Sequence, residues 1–202
     1  NTVIDALLFG IDKVTSTGYS DAEIEMLTSK VDLSKKIILV TGHRRENHGE
    51  GLMNICTALK NVAEAYPNTQ IIYPVHLNPN VKGPVHELLA GVANILLVPP
   101  LAYPAFIWLM EKSYLIITDS GGIQEEAPSL GKPVLVTRTT TERPEAVAEG
   151  TVLLVGTDIE EITSKTKQLL DDETYYASMS ELHNPYGDGK SVARIVDFIK
   201  AL

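Results

Sequence analysis

The sequence predicts a doubly wound, Rossmann-like α/β domain with a parallel sheet of about six strands. Short β-branched runs alternate with helical patterns, and these runs are apolar almost throughout. Strands of that kind need helices on both faces of the sheet. With 202 residues, 44% of them apolar, the chain is long enough for one such domain. The predicted strands are Lys36–Thr41, Thr69–Val75, Asn94–Val98, Tyr114–Thr118, Pro133–Thr137 and Thr151–Val155.

Helical patterns fill the gaps between these strands. After the first strand, apolar residues recur at helical spacing and form one face, at Leu52, Ile55, Cys56, Leu59, Val62 and Ala63. Further helices are predicted at Ser20–Ser29, Tyr103–Lys112, Gly122–Leu130, Asp158–Leu170 and Lys190–Ala201. We therefore divide the chain into connecting or hinge helices at residues 1–31 and a Rossmann-like domain at residues 32–202.

Composition excludes several classes of partner. The net charge is −9, from 26 acidic and 17 basic residues, and no basic cluster extends beyond "HRR". A nucleic-acid partner and an anionic membrane surface are therefore not expected, although a local site for a small anion is compatible with this charge. The single Cys56 excludes an internal disulfide framework. With no signal peptide or long apolar span in the sequence, we expect a cytoplasmic protein.

The loop after the fourth predicted strand is the first candidate site. It reads Asp119-Ser120-Gly121-Gly122 and then opens a helix. Glycines let the backbone approach a ligand closely, and the free N–H groups at a helix start favour an anion, so the loop fits a phosphate group. A serine cap on a tight turn is the alternative. Glu126, one turn into the helix, is placed to accept from a ribose diol, or else is a solvated carboxylate.

The second candidate is the loop "TGHRREN" at the end of the first predicted strand. His43, Arg44 and Arg45 could hold a diphosphate by charge-assisted hydrogen bonds, and His43 could transfer a proton near neutral pH. The alternative is a basic loop that faces solvent. Because ligands of such sheets bind beyond the carboxyl ends of the strands, we expect the two loops to face one another there.

Four stretches carry a resemblance to a known family: "VTGHRREN", "PVHLNPNV", "TDSGGIQEEAPSLGKPVLVTRTTTERPEAV" and "NPYGDGKSVARI". In this order they resemble the C-terminal half of non-hydrolysing UDP-N-acetylglucosamine 2-epimerases. These are GT-B-like proteins of two Rossmann-like halves with the active site in the cleft between them. The resemblance implies interconversion of UDP-GlcNAc and UDP-ManNAc by elimination and re-addition of UDP through 2-acetamidoglucal. It implies no nicotinamide cofactor and no metal.

The resemblance also implies roles for individual residues. His43 matches the active-site histidine near the bond between sugar and diphosphate, and Arg44 and His76 match a second, allosteric UDP-GlcNAc site. Without the family, His76 would be a strand-end histidine, Phe106 a core residue and Arg143 a surface residue. The positions that match the UDP-binding residues are Leu101 (through its backbone, with Leu where some members have Gln), Phe106 beside uracil, Ser120, Gly121, Gly122, Glu126 and Arg143.

The family's N-terminal half, which supplies the acids and bases for C2 and C3, has no counterpart in this sequence. Proton transfer on both faces of a sugar needs groups on both sides. We therefore expect a UDP-binding half that is inactive alone, with the missing half as its partner and a homodimeric parent protein. Two alternatives stay open: the donor-nucleotide domain of a GT-B glycosyltransferase, and a UDP-sugar-binding domain without catalysis.

Overall fold

The computed structural model describes all 202 residues and contains one six-stranded sheet in which every neighbouring pair is parallel. The strand order is β3-β2-β1-β4-β5-β6, which is the doubly wound Rossmann order. The predicted fold class is therefore confirmed, and each strand lies within a residue or two of its predicted bounds. The strands are β1 Lys36–Thr41, β2 Thr69–Pro74, β3 Ile95–Val98, β4 Leu115–Thr118, β5 Val134–Val136 and β6 Val152–Leu154.

Ten α-helices surround the sheet. Five of them correspond to predicted helices or to the predicted apolar face: α2 Ala22–Lys30, α3 Glu50–Ala65, α5 Tyr103–Lys112, α8 Ile159–Asp171 and α10 Ser191–Lys200. A sixth, α6 Gly121–Glu126, covers part of a predicted helix. Four were not predicted: α1 Thr2–Thr15, α4 Pro79–Leu89, α7 Pro144–Glu149 and α9 Glu173–Ser180.

The helix predicted at Gly122–Leu130 divides in two in the structure. Regular α-helix ends with α6 at Glu126, and Ala127–Leu130 form a 3₁₀ turn. Pro128 explains the division, because it has no N–H to donate to the carbonyl of Gln124 four residues earlier. The prediction of one continuous helix was wrong at this point.

The core has two layers, one on each side of the sheet. Successive residues of β1 point to opposite layers, so Ile38 and Val40 pack with α3, α4 and α8, whereas Ile37 and Leu39 pack with α1, α2 and α5. Both layers are fully buried along β1, as the continuous apolar run predicted. The buried side chains Leu7, Val14 and Leu27 show that residues 1–31 contribute to the second layer.

The strand order places the loops after β1 and β4 at the switch point of the sheet. Thr41 and Thr118, the last residues of these strands, are paired in register. From there the chain leaves β1 towards α3 on one face and leaves β4 towards α6 on the other. Because the two connections diverge, they leave a crevice beyond the carboxyl ends of the strands, which is where ligands of this fold bind.

The last helix, α10, differs from the others because it buries none of its residues. It lies beside α1, and Asp5 of α1 accepts the backbone N–H groups of Ser191 and Val192 at its start. No helix in the structure combines the length and apolarity that crossing a membrane would need.

Candidate functional site

The crevice begins where β1 and β4 end side by side. The hydroxyl oxygens of Thr41 and Thr118 lie 2.6 Å apart, and Thr118 Oγ1 accepts the backbone N–H of Ser120 at 3.0 Å. After Thr41 the chain turns at Gly42, whose carbonyl accepts the hydroxyl of Tyr73 at 3.3 Å. A Cβ at residue 42 would lie only 3.1 Å from that hydroxyl, so glycine allows β1 and β2 to pack closely here.

Asp119 joins the two loops. Its side chain is only 1% exposed, and Oδ2 accepts the backbone N–H groups of His43 at 2.9 Å and Arg44 at 2.8 Å. Asn47, itself buried, donates to the carbonyl of Thr137 at 3.0 Å and lies 3.5 Å from the same Oδ2. The carboxylate therefore fixes the backbone of the β1 loop against β4, which positions His43 at the rim of the crevice.

The start of α6 faces the same crevice. Ser120 is the N-cap residue in an extended conformation, and its hydroxyl makes no capping hydrogen bond. The N–H groups of the first turn of a helix have no partners within the helix. Gly121 is buried and Gly122 is exposed. This end of α6 therefore has N–H groups without partners inside the helix, and an anion site at this loop stays a prediction.

A carboxylate of the protein already lies at this end of α6. Glu142 Oε1 is 2.9 Å from the position that a Cβ on Gly121 would take, and 2.7 Å from Nη2 of Arg44. Glu142 Oε2 pairs with Arg138, whose Nε donates to Glu46 at 2.6 Å. A hydrogen bond from its own backbone N–H, followed by the bond from Arg138, lowers the pKa of Glu142 to about 2. Arg44 and Arg138 thus hold an ionised side chain close to Gly121.

The far end of α6 contacts α5. The hydroxyl of Tyr103 donates to Glu126 Oε1 at 2.7 Å. Burial raises the pKa of the Glu126 carboxyl, and the hydrogen bond from Tyr103 opposes that shift. Glu125, the neighbouring carboxylate, accepts from Arg143 and from the side chain of Asn1. Glu126 is therefore a buried acceptor at the far end of α6, whereas Glu125 forms an ion pair with Arg143.

The structure brings together some of the predicted site residues but not all of them. Arg44 donates to Glu142, which lies beside Gly121. The rings of His43 and His76 stack with their centroids 5.5 Å apart. Leu101 and Phe106 are half-buried against the core layer that contains α1, α2 and α5. The hydrogen bond from Tyr103 to Glu126 joins α5 to α6. Arg143 pairs with Glu125, not with the residues at the start of α6.

Sequence reasoning did not assign roles to Asp119, Tyr103, Arg138 or Glu142. Asp119 stands directly before Ser-Gly-Gly and Glu142 directly before Arg143, so both lay inside motifs that were already singled out. What no pattern showed was their partners, because Asp119 binds N–H groups 75 and 76 residues earlier in the chain. Such contacts depend on the order of the strands.

A Rossmann-ordered sheet, a glycine-containing helix start and a pair of arginines at the switch point define a doubly wound α/β domain, a class whose ligands bind at the switch point. Comparison with known proteins narrows this class. The family model described as UDP-N-acetylglucosamine 2-epimerase matches residues 1–200, and the chain belongs to this family.

Curated relatives agree with the family assignment. The chain is 55% identical over 201 residues to a UDP-N-acetylglucosamine 2-epimerase of Salmonella typhimurium, and 55% identical over 200 residues to one of Escherichia coli K12. The alignments cover 100% and 99% of this chain, but only 54% and 53% of the two relatives. The chain thus spans about half the length of the curated relatives it matches.

Solved structures share the fold over the full length of the chain. The UDP-GlcNAc 2-epimerase of Neisseria meningitidis, bound to UDP-GlcNAc, superposes with a TM-score of 0.91 at 47% identity, covering 100% of this chain and 54% of that one. The Methanocaldococcus jannaschii enzyme in complex with UDP-GlcNAc and UDP gives 0.80 at 30% identity, with coverage of 100% and 54%. The neighbours are two-domain GT-B-like proteins, and this chain corresponds to one half of them.

Proposed function

We propose that this chain is the UDP-binding half of a UDP-GlcNAc 2-epimerase that interconverts UDP-GlcNAc and UDP-ManNAc. The observation that carries the proposal is the cluster at the switch point, where Arg44 and Arg138 hold the carboxylate of Glu142 beside the start of α6. Diphosphate oxygens have the same sign and accept the same hydrogen bonds. The ligands of the Neisseria meningitidis and Methanocaldococcus jannaschii structures, UDP-GlcNAc in both and UDP in the second, support this choice of anion.

The site residues take the following roles in this proposal. The N–H groups of Gly121 and Gly122 and the hydroxyl of Ser120 bind the diphosphate, and Glu126 accepts the ribose hydroxyls. Glu126 is suited to that role because it is buried and ready to accept, with Tyr103 the one hydrogen-bond donor to its carboxylate. Leu101 and Phe106 at α5 flank the base, and Arg143 completes the nucleotide site. Their half-buried positions leave part of each side chain accessible.

His43 acts at the bond between sugar and diphosphate. Its side chain is 50% exposed at the rim of the crevice, and the backbone N–H bond to Asp119 fixes its position. An imidazolium there donates to the departing diphosphate while the bond from C1 to oxygen breaks and C2 loses its proton, which forms 2-acetamidoglucal. Re-protonation of C2 on the opposite face and return of UDP complete the epimerisation. Stabilising developing charge on a leaving group is a large source of catalysis.

The acid and base that act on C2 belong to the other half of the protein in this proposal. The carboxylates nearest the crevice already have partners: Asp119 binds backbone N–H groups, Glu125 binds Arg143 and Glu142 binds two arginines. Arg44 and the exposed His76 would bind a second, regulatory UDP-GlcNAc when the cleft closes. We also propose that the whole protein is a cytoplasmic homodimer.

Titration calorimetry with UDP tests the proposal. We expect measurable binding by this chain, with UDP-GlcNAc bound within a few-fold of UDP, because the proposed contacts to diphosphate, ribose and base are the same for both ligands. The matched pair of variants is Glu126→Ala, which removes the ribose acceptor, and Glu149→Ala, an exposed carboxylate at the end of α7. Absence of any UDP heat at millimolar ligand, or equal loss in both variants, would contradict the proposal.

A further inference from the structure

One oxygen of the buried Asp119 carboxylate has no hydrogen-bond partner. Oδ2 is saturated by the backbone of the β1 loop, but Oδ1 is buried and unpaired. An unpaired buried acceptor is costly, and it is costlier still when it carries charge. Nδ1 of His43 lies 3.6 Å from Oδ1. That distance is too long for a hydrogen bond, but a small rotation of the half-exposed imidazole would close it.

We propose that Asp119 is a positioning residue for His43: its Oδ1 accepts a hydrogen bond from the Nδ1–H group, which leaves Nε2 free to face the crevice. The proposal rests on the role of His43 in the proposed function. It goes further by naming the group that selects the tautomer and by defining which ring nitrogen meets the ligand. Asp119 itself does not touch the substrate in this arrangement, because its side chain is only 1% exposed.

The geometry favours this role over a purely structural one. Two backbone N–H groups, at 2.9 Å and 2.8 Å, hold Oδ2 so that the carboxylate cannot rotate. The direction of Oδ1 is therefore fixed by the bonds to Oδ2. A carboxylate held in this way on Nδ1 of a histidine fixes both the ring orientation and the tautomer, and it stabilises the imidazolium when Nε2 takes up a proton.

His76 provides an internal comparison. Its ring stacks on that of His43 at an angle of 18°, so the two imidazoles share one environment. Nδ1 of His76, however, accepts the backbone N–H of Asn78 at 3.1 Å. A nitrogen that accepts a hydrogen bond carries no proton in neutral imidazole, so the proton of His76 belongs on Nε2. The two stacked histidines are therefore expected to be opposite tautomers.

Nitrogen-15 NMR of the histidine side chains tests the proposal in this chain without any ligand. At pH 9, where free imidazole side chains are neutral, the protonated and bare ring nitrogens have well-separated shifts. We expect a proton on Nδ1 of His43 and on Nε2 of His76. The chain has five histidines, so the spectrum of His43→Gln, which loses one set of signals, assigns His43, and that of His76→Gln assigns His76. A proton on Nε2 of His43 with Nδ1 bare in the unmodified chain would overturn the proposal, and this result requires no variant of Asp119 to fold.

The variant Asp119→Asn provides a second test of the proposal. Its amide oxygen can still accept from the backbone N–H groups of the β1 loop, which turns the NH₂ group towards His43. An NH₂ donor needs a bare Nδ1, so the proton of His43 should move to Nε2 and the two nitrogen shifts should exchange. His76 should keep its pattern, as should His43 in the control Asp188→Asn, where an exposed ion pair with Arg194 is lost. A folded Asp119→Asn chain with unchanged His43 shifts would refute the proposal.

Neither measurement involves UDP or turnover. A failure of the proposed function, seen as absent UDP binding, would therefore leave the tautomer result standing. Conversely, normal UDP binding together with a proton on Nε2 of His43 would rule out the role of Asp119 but leave the proposed function standing.

Discussion

Replacing Glu142 by Gln should tighten the binding of UDP. Glu142 lies at the start of α6, where its carboxylate pairs with Arg44 and Arg138. A diphosphate that uses the N–H groups of Gly121 and Gly122 must displace this carboxylate from at least Arg44. Gln has nearly the same size but no charge, so it holds the two arginines more weakly and leaves the site more easily.

The size of the effect follows from the exposure of the ion pairs. The Glu142 side chain is 41% exposed, so each pair is discounted to about 0.2–1 kcal/mol, the range measured for solvent-exposed pairs. Two pairs then give about 0.4–2 kcal/mol. At about 1.4 kcal/mol for each factor of ten, the variant should bind UDP about two- to thirtyfold more tightly. The gain should shrink at high salt, because screening weakens exposed pairs.

Calorimetry with UDP at two salt concentrations measures this change, and Glu149→Gln is the matched control. It removes the same charge from the same segment, at the exposed end of α7, without touching either arginine. Because the pKa of Glu142 is about 2, lowering the pH to 5 leaves its carboxylate ionised and should not reproduce the effect. Weaker UDP binding by Glu142→Gln would refute the reasoning, since it would mean that Glu142 holds the arginines ready for the ligand.

Three further predictions concern binding, catalysis and the core. Ser120→Ala and Glu126→Ala should each weaken UDP binding by about 1–3 kcal/mol. Neither should change the melting temperature much, because Ser120 makes no capping bond and burial already disfavours the Glu126 carboxylate. Unchanged UDP affinity per folded molecule would exclude these contacts. This chain alone should not incorporate deuterium from heavy water at C2 of UDP-GlcNAc; observed exchange would reveal an acid and base not recognised here. Cys56, fully buried with its thiol pKa raised to about 12, should react with a disulfide reagent only after denaturation, and rapid native reaction would contradict its core position.

The sheet could be predicted from sequence because each of its strands is a short apolar run between polar segments. In β1, four consecutive residues, Ile37 to Val40, are buried, which only a strand covered on both faces achieves. The missed helices lack so plain a signal. α4 begins at Pro79 and carries Pro84 and Gly83 in its interior, a pattern that normally indicates a loop. Its buried residues Val81, Val85 and Leu89 show that packing against the core outweighs the local preference.

The candidate site could be predicted only in part for a related reason. Glycines and a hydroxyl after a strand predict a place for an anion, because that reasoning needs only local geometry. The ion pair between Arg44 and Glu142 joins residues 98 positions apart, and the hydrogen bond from Tyr103 to Glu126 joins two helices. Each requires the relative placement of elements, which a pattern of residue types does not contain.

The charge balance at the crevice shows how a chain of net charge −9 can hold an anion site. Arg44 and Arg138 face Glu46 and Glu142, two positive against two negative groups, so the cluster is neutral at rest. An incoming diphosphate would displace the carboxylate of Glu142 from the arginines. Because one negative group leaves as the ligand enters, the charge beside the arginines would change by less than the full charge of the ligand. Discrimination among anions would then depend on the donors at the start of α6 and on Glu126, which a simple phosphate cannot reach at the same time. The site should therefore bind UDP more tightly than inorganic pyrophosphate.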